Sequence, residues 1–185
     1  MKNRQQVSKQ WRRRSIDGIE LVKEYINSYK DMNCIKGCCS LKIATWSGGG
    51  EVDRRGMDLK KAGAVLYDQI SDSICIVQSR GNMWGVPKGT LNDESPEEGA
   101  IREVLEETGI KLEPSDMNLP IILYGSTYFV VNHPVCDVEI QTHVEGNDAN
   151  GIGWVKIECL KRLVDDKKIK LTSHTTRLIR KLFNP

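Results

Sequence analysis

Residues 94–110 read Glu94-Ser-Pro-Glu-Glu-Gly-Ala-Ile-Arg102-Glu103-Val-Leu-Glu106-Glu107-Thr-Gly109-Ile110. Ser95 followed by Glu98 is the capping box that begins a helix, and Gly109 supplies the left-handed residue that ends one. Three glutamates within the helix share one face, at spacings of three and four residues: Glu103, Glu106 and Glu107. Because like charges so close repel, the pattern predicts a divalent cation. Carboxylate oxygens suit Mg²⁺ or Mn²⁺.

The glutamates could instead form a solvated acidic helix face that binds no metal. The loop before the helix favours the metal site over this alternative. In the second interpretation Arg102 would be only a local ion-pair partner. The loop reads Trp84-Gly-Val-Pro-Lys88-Gly89-Thr-Leu91. Two glycines and a proline around a lysine let backbone N–H groups and one cation approach phosphate oxygens. Carboxylates beside such a loop indicate metal-assisted phosphoryl chemistry.

Loop and helix together resemble the box of the Nudix hydrolases, Gly-x5-Glu-x7-Arg-Glu-U-x-Glu-Glu-x-Gly-U, in which U is aliphatic. The matching positions are Gly89, Glu94, Arg102, Glu103, Val104, Glu106, Glu107, Gly109 and Ile110. The chain departs from this pattern in one place, because four residues rather than five separate Gly89 from Glu94. The resemblance covers residues 60–183. It implies an α/β fold, a Nudix α/β/α sandwich with a mixed sheet between helices.

The resemblance also implies which residues hold the metal. Glu103 and Glu107 are the first candidates and Glu106 the next, and all three would take part in catalysis. Arg102 and Glu94 would support these carboxylates, with Arg102 orienting them. The reaction would be hydrolysis of a diphosphate linkage with Mg²⁺ or Mn²⁺.

A general base must lie within hydrogen-bond reach of the attacking water. In the mRNA-decapping branch of the family, a glutamate six residues before the tryptophan of the last core strand supplies it. Counting back from Trp154 reaches Asp148, a shorter carboxylate, with Glu145 as the nearby alternative. A metal-bound glutamate of the box could serve instead, and Asp148 would then be an ordinary turn residue.

The loop at residues 84–89 is more similar to that of the decapping enzymes than to the loops of nucleotide-pool sanitising enzymes, which favours capped RNA as the substrate. Lys88 and Gly89 would bind its phosphates. The aromatic residues that could stack on the cap base, or belong to the core instead, are Trp84, Tyr124, Tyr128 and Phe129. The alternatives are a hydrolase of diphosphoinositol polyphosphates, dinucleoside polyphosphates or free nucleotides, and a nucleotide-sensing Nudix-fold module without activity.

Composition describes a globular protein with no membrane partner. The 185 residues are 28% charged and 39% hydrophobic, and no apolar run approaches the roughly 20 residues of a membrane helix. No secretory signal is visible, so a cytoplasmic location is expected. We expect a Nudix domain over residues 61–185 and a basic extension over residues 1–60, with one helix at residues 16–31. The sequence specifies no oligomeric state.

Positive charge is concentrated in the N-terminal third. Residues 1–62 hold 14 Lys and Arg against 7 Asp and Glu, and the first fourteen residues hold six basic residues and no acid. This arm would either contact RNA or act as a solubilising tail.

Three of the six cysteines, Cys34, Cys38 and Cys39, lie close together in the extension. They could bind zinc, but neither a second Cys pair nor a His-x3-His motif lies near them in the sequence. Reduced, free thiols are therefore the expected state.

Alternation and β-branched runs predict the remaining elements. A hairpin is expected from residues 62–67 and 73–78. Further strands are expected at residues 41–46, 120–131, 137–144 and 153–157, a short helix around residues 160–164 and a C-terminal helix around residues 178–183.

Overall fold

The computed structural model describes residues 29–44, 60–79, 82–141, 144, 147 and 149–183. Within these residues one mixed sheet contains the strands β1 Tyr29–Asn33, β2 Ser40–Ala44, β3 Lys61–Asp68, β4 Ser73–Ser79, β5 Met83–Gly85, β6 Lys88–Thr90, β7 Ile121–Leu123, β8 Ser126–Asn132, β9 Ala149–Lys156 and β10 Lys170–Leu171. The helices are α1 Pro96–Thr108, α2 Ile157–Asp165 and α3 Ser173–Phe183, with a 3-10 turn at Pro114–Asp116.

The main path of the sheet has the order β1-β2-β9-β4-β3-β8-β7. Along this path β3 and β8 run parallel, and the other neighbours are antiparallel. The short strand β5 pairs with β4 and β10, and β6 pairs with β3. The predicted hairpin of β3 and β4 is confirmed, since Tyr67 pairs with Ile74 and Asp68 with Ser73.

The sheet separates two hydrophobic layers. Neighbouring residues of β3 enter different layers because side chains alternate along a strand: Ala64 joins the layer under α1, and Val65 joins the layer under α2 and α3. Val104 of α1 and Leu163 of α2 are almost fully buried in their respective layers. The predicted α/β/α sandwich with a mixed sheet is confirmed.

Helix α1 begins and ends at the residues that the sequence predicts. The Ser95 hydroxyl accepts the N–H of Glu98 at 3.2 Å, and the Glu98 carboxylate accepts the N–H of Ser95 at 2.9 Å. At the other end Gly109 has φ 76° and donates its N–H to the carbonyl of Leu105. These local caps fix the start and length of the helix that carries the glutamates.

The single strand predicted at residues 120–131 is two strands, because a tight turn interrupts it. Tyr124 and Gly125 have φ 51° and 74°, and Leu123 pairs with Ser126 across them. Two successive positive φ angles are the geometry of a type I′ hairpin turn. The turn places the side chain of Tyr124 at the tip of the β7–β8 hairpin.

The strand predicted at residues 137–144 is wrong for the part of it that the structure describes, residues 137–141 and 144. Val138 and Ile140 are both buried, as the alternation suggests, but the segment does not pair with a strand. The carbonyl of Val138 accepts Lys42 Nζ at 2.9 Å, and that of Gln141 accepts Asn147 Nδ2 at 3.0 Å. Side chains, and not the backbone of a neighbouring strand, therefore donate hydrogen bonds to these two carbonyls.

The helix predicted at residues 16–31 lies outside the described residues up to residue 28, and it is wrong at residues 29–31, which belong to β1. Strand β2 pairs with both β1 and β9, and Leu41 of β2 is buried in the core. The β1–β2 hairpin thus continues the sheet that residues 61–171 form, while the division near residue 60 stays a prediction. In the described part of the chain no helix is long and apolar enough to cross a membrane.

Candidate active site

Strand β6 and helix α1 bring the loop and the glutamates together. Gly89 in β6 lies directly against the carboxyl group of Glu103: a Cβ on Gly89 would lie within 3.0 Å of all three carboxyl atoms. Glu107 is buried and accepts the backbone N–H of Lys88 at 2.9 Å. The loop thus packs on the glutamate face of the helix, and glycine is needed at position 89 because the carboxylate occupies the space of a side chain.

Arg102 binds the carboxylates around it through all of its donor nitrogens. Its Nε lies 3.1 Å from both carboxylate oxygens of Glu94, and its Nη2 lies 2.6 Å from Glu94 Oε1 and 2.9 Å from the carbonyl of Thr90. Its Nη1 donates to Glu103 Oε1 at 2.8 Å and to Glu106 Oε2 at 2.9 Å. A planar guanidinium with this many partners fixes the orientation of three carboxylates at once.

The shortened loop between Gly89 and Glu94 does not separate Glu94 from Arg102. The Glu94 carboxylate accepts the N–H of Asn92 at 3.2 Å, which folds the loop back onto itself. The same carboxylate keeps its two-oxygen contact with Arg102. The missing residue is therefore absorbed within the loop.

Ionisation in this site is perturbed in opposite directions. The hydrogen bond from Arg102 holds the pKa of Glu94 below its usual value, and the same bond raises the pKa of Arg102. Burial raises the pKa of Glu103, although Arg102 opposes the shift. One guanidinium therefore serves three carboxylates, those of Glu94, Glu103 and Glu106.

The chemistry of this donor set fits a divalent cation, although among the described residues no three of these glutamates have their ligand oxygens within 4.8 Å of one another. The oxygens are hard ligands, they are partly shielded from water, and one arginine leaves their negative charge uncompensated. Glu103, Glu106 and Glu107 could hold such an ion.

Trp84 lies in the hydrophobic core, which is the second of the two roles that the sequence allows for it. Its side chain is only 1% exposed and belongs to the layer under α3. The pairing of β5 with β4 and β10 directs the ring into that layer. Tyr128 and Phe129 are also buried, which leaves Tyr124, 57% exposed, as the accessible ring of the four.

Two residues beside Tyr124 were not singled out from the sequence. The guanidinium carbon of Arg177 lies 4.5 Å from the centroid of the Tyr124 ring, and the His174 ring lies 5.3 Å from it. His174 Nδ1 is also hydrogen-bonded to the Tyr128 hydroxyl at 2.7 Å. We call Tyr124, His174 and Arg177 the Tyr124 cluster. The sequence offers one signal for His174 and Arg177: they are three residues apart, a spacing that places both on one face of a helix.

The Tyr124 cluster lies close to the loop at residues 84–89, which holds Val86 and Lys88. Burial lowers the pKa of His174, and the positive charges of Lys88 and Lys61 lower it further. Helix α3 is attached to the loop through its first turn, since Thr175 Oγ1 accepts the N–H of Val86 at 3.1 Å. The helix that carries His174 and Arg177 therefore contacts the loop that holds Lys88.

The two base candidates, Asp148 and Glu145, lie outside the described residues. Asn147, which precedes Asp148, donates its side-chain N–H to the carbonyl of Glu106 at 2.8 Å. The same amide group also donates to the carbonyl of Gln141 at 3.0 Å. This segment therefore contacts the glutamate helix at residue 147.

Known proteins match this sequence and this fold. The NUDIX domain profile matches residues 57–174. Protein 111R of Invertebrate iridescent virus 3, named as a hydrolase, is 34% identical over 132 residues, which are 68% of this chain and 77% of that protein. The m7GpppN-mRNA hydrolase dcap-2 of Caenorhabditis elegans is 49% identical over 51 residues, 25% of this chain and only 6% of the worm protein.

Among solved structures, the fold is similar to that of a bifunctional NMN adenylyltransferase/ADP-ribose pyrophosphatase from Francisella tularensis, solved with AMP and a manganese ion. The TM-score is 0.51 at 20% identity, covering 67% of this chain and 40% of that one. This likeness concerns the fold alone. The profile match and the viral relative establish the family: the chain belongs to the Nudix family and is a Nudix pyrophosphohydrolase.

Proposed function

We propose that the protein removes the cap of mRNA by hydrolysing the cap triphosphate, which releases a methylated guanosine diphosphate and RNA with a 5′-monophosphate. The observation that carries the proposal is the exposed ring of Tyr124 in contact with Arg177 and His174 of α3, a helix that also contacts the loop that holds Lys88. Aromatic rings are the usual platform for an unpaired base. The match to the worm decapping enzyme supports the proposal over a short part of the chain.

Base and phosphates would occupy neighbouring parts of this surface. The methylated guanine is cationic, so it would stack on the exposed part of the Tyr124 ring, since the face of an aromatic ring attracts cations. Lys88 and the N–H groups of its loop would bind the bridging phosphates. The substrate would then extend from the Tyr124 cluster to the glutamates of α1.

The glutamates would prepare the phosphate for attack. Glu103, Glu106 and Glu107 would hold Mg²⁺ or Mn²⁺, which would neutralise phosphate charge and lower the pKa of an attacking water. Arg102 keeps the carboxylates of Glu103 and Glu106 oriented before any ligand arrives. Glu107 fixes the loop by accepting the N–H of Lys88.

Asp148 is the proposed general base. Its neighbour Asn147 is hydrogen-bonded to the carbonyl of Glu106, which supports a position near the carboxylates. We expect Asp148→Asn to reduce kcat and to flatten the acidic side of the pH–rate profile, and Glu145→Gln to leave both unchanged. The reverse result would assign the base to Glu145.

Three substrates distinguish decapping from its alternatives. With Mn²⁺, the protein would be given cap-labelled RNA, free cap dinucleotide and a diphosphoinositol polyphosphate. Release of methylated guanosine diphosphate from the RNA at the highest kcat/KM supports decapping. Preferred cleavage of either small molecule overturns it, and Lys61 and Lys88 would then bind a compact polyphosphate.

Tyr124 variants test the stacking itself. Tyr124→Ala should raise KM for capped RNA by about 5- to 150-fold, because base stacking contributes about 1–3 kcal/mol. Tyr124→Phe should retain the wild-type KM. Ile122→Ala is the matched control, since Ile122 is 64% exposed on the same hairpin. An unchanged KM in Tyr124→Ala would remove the ring from the binding site.

The basic residues 1–14, which lie outside the described part, would contact the RNA chain. Deleting them should weaken RNA binding more at low salt than at high salt, because phosphate contacts release counterions. If the slope of log K against log salt stays unchanged, the arm does not bind RNA.

A further inference from the structure

Four cysteine sulfurs meet at one point of the fold, away from the glutamates. The Sγ atoms of Cys34, Cys38, Cys39 and Cys159 all lie within 4.8 Å of one another. Cys38 Sγ lies 3.6 Å from that of Cys34 and 3.7 Å from those of Cys39 and Cys159. Three of these cysteines come from the β1–β2 turn, and the fourth comes from α2. The sequence gives no sign of this meeting, because 121 positions separate Cys38 from Cys159.

We propose that these four cysteines bind one structural Zn²⁺ ion. A tetrahedral Zn²⁺ with four thiolates has Zn–S distances of about 2.3 Å, which place the sulfurs about 3.8 Å apart. The three separations from Cys38, 3.6–3.7 Å, agree with that edge length. Four thiolates and no carboxylate select a soft-ligand metal rather than Mg²⁺ or Mn²⁺.

The backbone of the β1–β2 turn is shaped to present its sulfurs together. Gly37 has φ 67° and donates its N–H to the carbonyl of Cys34 at 2.9 Å, which reverses the chain just before Cys38. The N–H of Cys34 closes the turn on the carbonyl of Cys39 at 3.0 Å. Glycine suits position 37 because other residues rarely adopt this conformation.

The surroundings also suit a metal thiolate. The N–H of Lys156 donates to Cys39 Sγ at 3.3 Å, a type of contact that orients and stabilises a coordinating sulfur. Lys36 and Arg162 line a small cleft together with Cys34 and Cys159, and both are paired with Glu158, so the side chains beside a centre of net charge −2 would carry a net charge of +1. Cys38 is exposed and the other three sulfurs belong to buried residues, which gives the ion an entry path.

A disulfide is the competing use of these cysteines. A disulfide bond is about 2.05 Å long, so any pair here would have to approach by more than about 1.5 Å. A disulfide would also use two sulfurs and leave two others beside it without a role. One zinc ion uses all four, and it would join the β1–β2 hairpin to α2.

The test is a zinc count on the full chain, purified without a tag or chelator under reducing conditions. Mass spectrometry of the metal should find one zinc per chain in the wild type, in Cys136→Ser, which keeps the cluster, and in Glu103→Gln, which alters the glutamate site. Cys159→Ser and the exposed Cys38→Ser should lose it. No zinc in the wild type, or zinc lost only from Glu103→Gln, overturns the proposal.

Two measurements on the wild type do not depend on how the variants fold. Displacing the metal with a chelator should expose four more thiols to a thiol reagent, whereas a disulfide would release thiols only on reduction and would lower the mass by about 2 Da. Cobalt exchanged into the protein should show the visible bands of a tetrahedral thiolate site. Thiols released by reductant alone, or an octahedral cobalt spectrum, would overturn the proposal.

Discussion

Replacing Gly89 with alanine should lower kcat strongly and change the free energy of unfolding only slightly. The added methyl would lie within 3.0 Å of the whole Glu103 carboxyl group, so that group must move. The backbone itself accepts alanine, because Gly89 is not among the residues with positive φ. The group that moves is the end of a flexible side chain, so we expect the free energy of unfolding to change by no more than about 1 kcal/mol.

The expected loss of turnover follows from the size of that movement. The carboxylate must shift by about 1 Å, and a misplacement of this size costs about 100-fold in rate, or about 2.7 kcal/mol of transition-state stabilisation. Measuring kcat and KM with Mn²⁺ on the preferred substrate should show this loss in kcat, with KM within about threefold. Thermal unfolding gives the stability control.

A double-mutant cycle with Glu103→Gln identifies the cause. If Gly89→Ala acts by displacing Glu103, it should add little to the loss in a protein whose Glu103 is already neutralised. Fully additive losses, or a Gly89→Ala protein with nearly wild-type kcat, would refute the assignment of this space to the carboxylate.

Three further predictions follow from the same site. Glu107→Gln should lower turnover by about 100-fold or more with little change in melting temperature, since its oxygen can still accept the Lys88 N–H; equal losses of fold and activity would make this helix face structural. Glu94→Gln should lower the free energy of unfolding by about 1.5–3 kcal/mol at pH 7, because it removes the charged partner of Arg102. Because Arg102 lowers the pKa of Glu94 from its usual value of 4.5, the ion pair stabilises the fold above that pH, and this stabilisation is lost as the pH falls through the lowered pKa. Urea unfolding of wild type and variant should therefore show a smaller difference in stability at pH 3 than at pH 7. The same difference at both pH values would exclude the ion pair. Asn147→Ala should lower the free energy of unfolding by about 1–2 kcal/mol, because it removes two hydrogen bonds to backbone carbonyls. An unchanged free energy of unfolding would show that these hydrogen bonds do not stabilise the fold.

The features that the sequence predicted well are local. Helix α1 is specified by caps within its own ends, Ser95 with Glu98 and then Gly109, so its bounds need no knowledge of the sheet. The hairpin of β3 and β4 is likewise a contact between neighbours in the sequence. The spacing of Glu103, Glu106 and Glu107 places them on one helix face whatever surrounds the helix.

The features that were missed depend on distant parts of the chain. The direction of the Trp84 ring is set by pairing with β4 and by the packing of α3, neither of which its own neighbourhood encodes. Buried Val138 and Ile140 alternate as in a strand, but an extended segment lying over a sheet has the same alternation. Arg177 reaches Tyr124 only because α3 packs beside the β7–β8 hairpin.

The hydrogen bond between Glu107 and the N–H of Lys88 joins the two proposed binding sites, one for the cation and one for the phosphate. A cation bound by Glu107 and a phosphate bound by the Lys88 loop would both affect this hydrogen bond, so each would change the binding free energy of the other. Such coupling is reciprocal: if the cation raises the affinity for the phosphate by some factor, the phosphate raises the affinity for the cation by the same factor. Cation affinity measured on the protein alone and in the presence of a phosphate-containing ligand should then differ, and the size of that difference is the coupling free energy transmitted through Glu107.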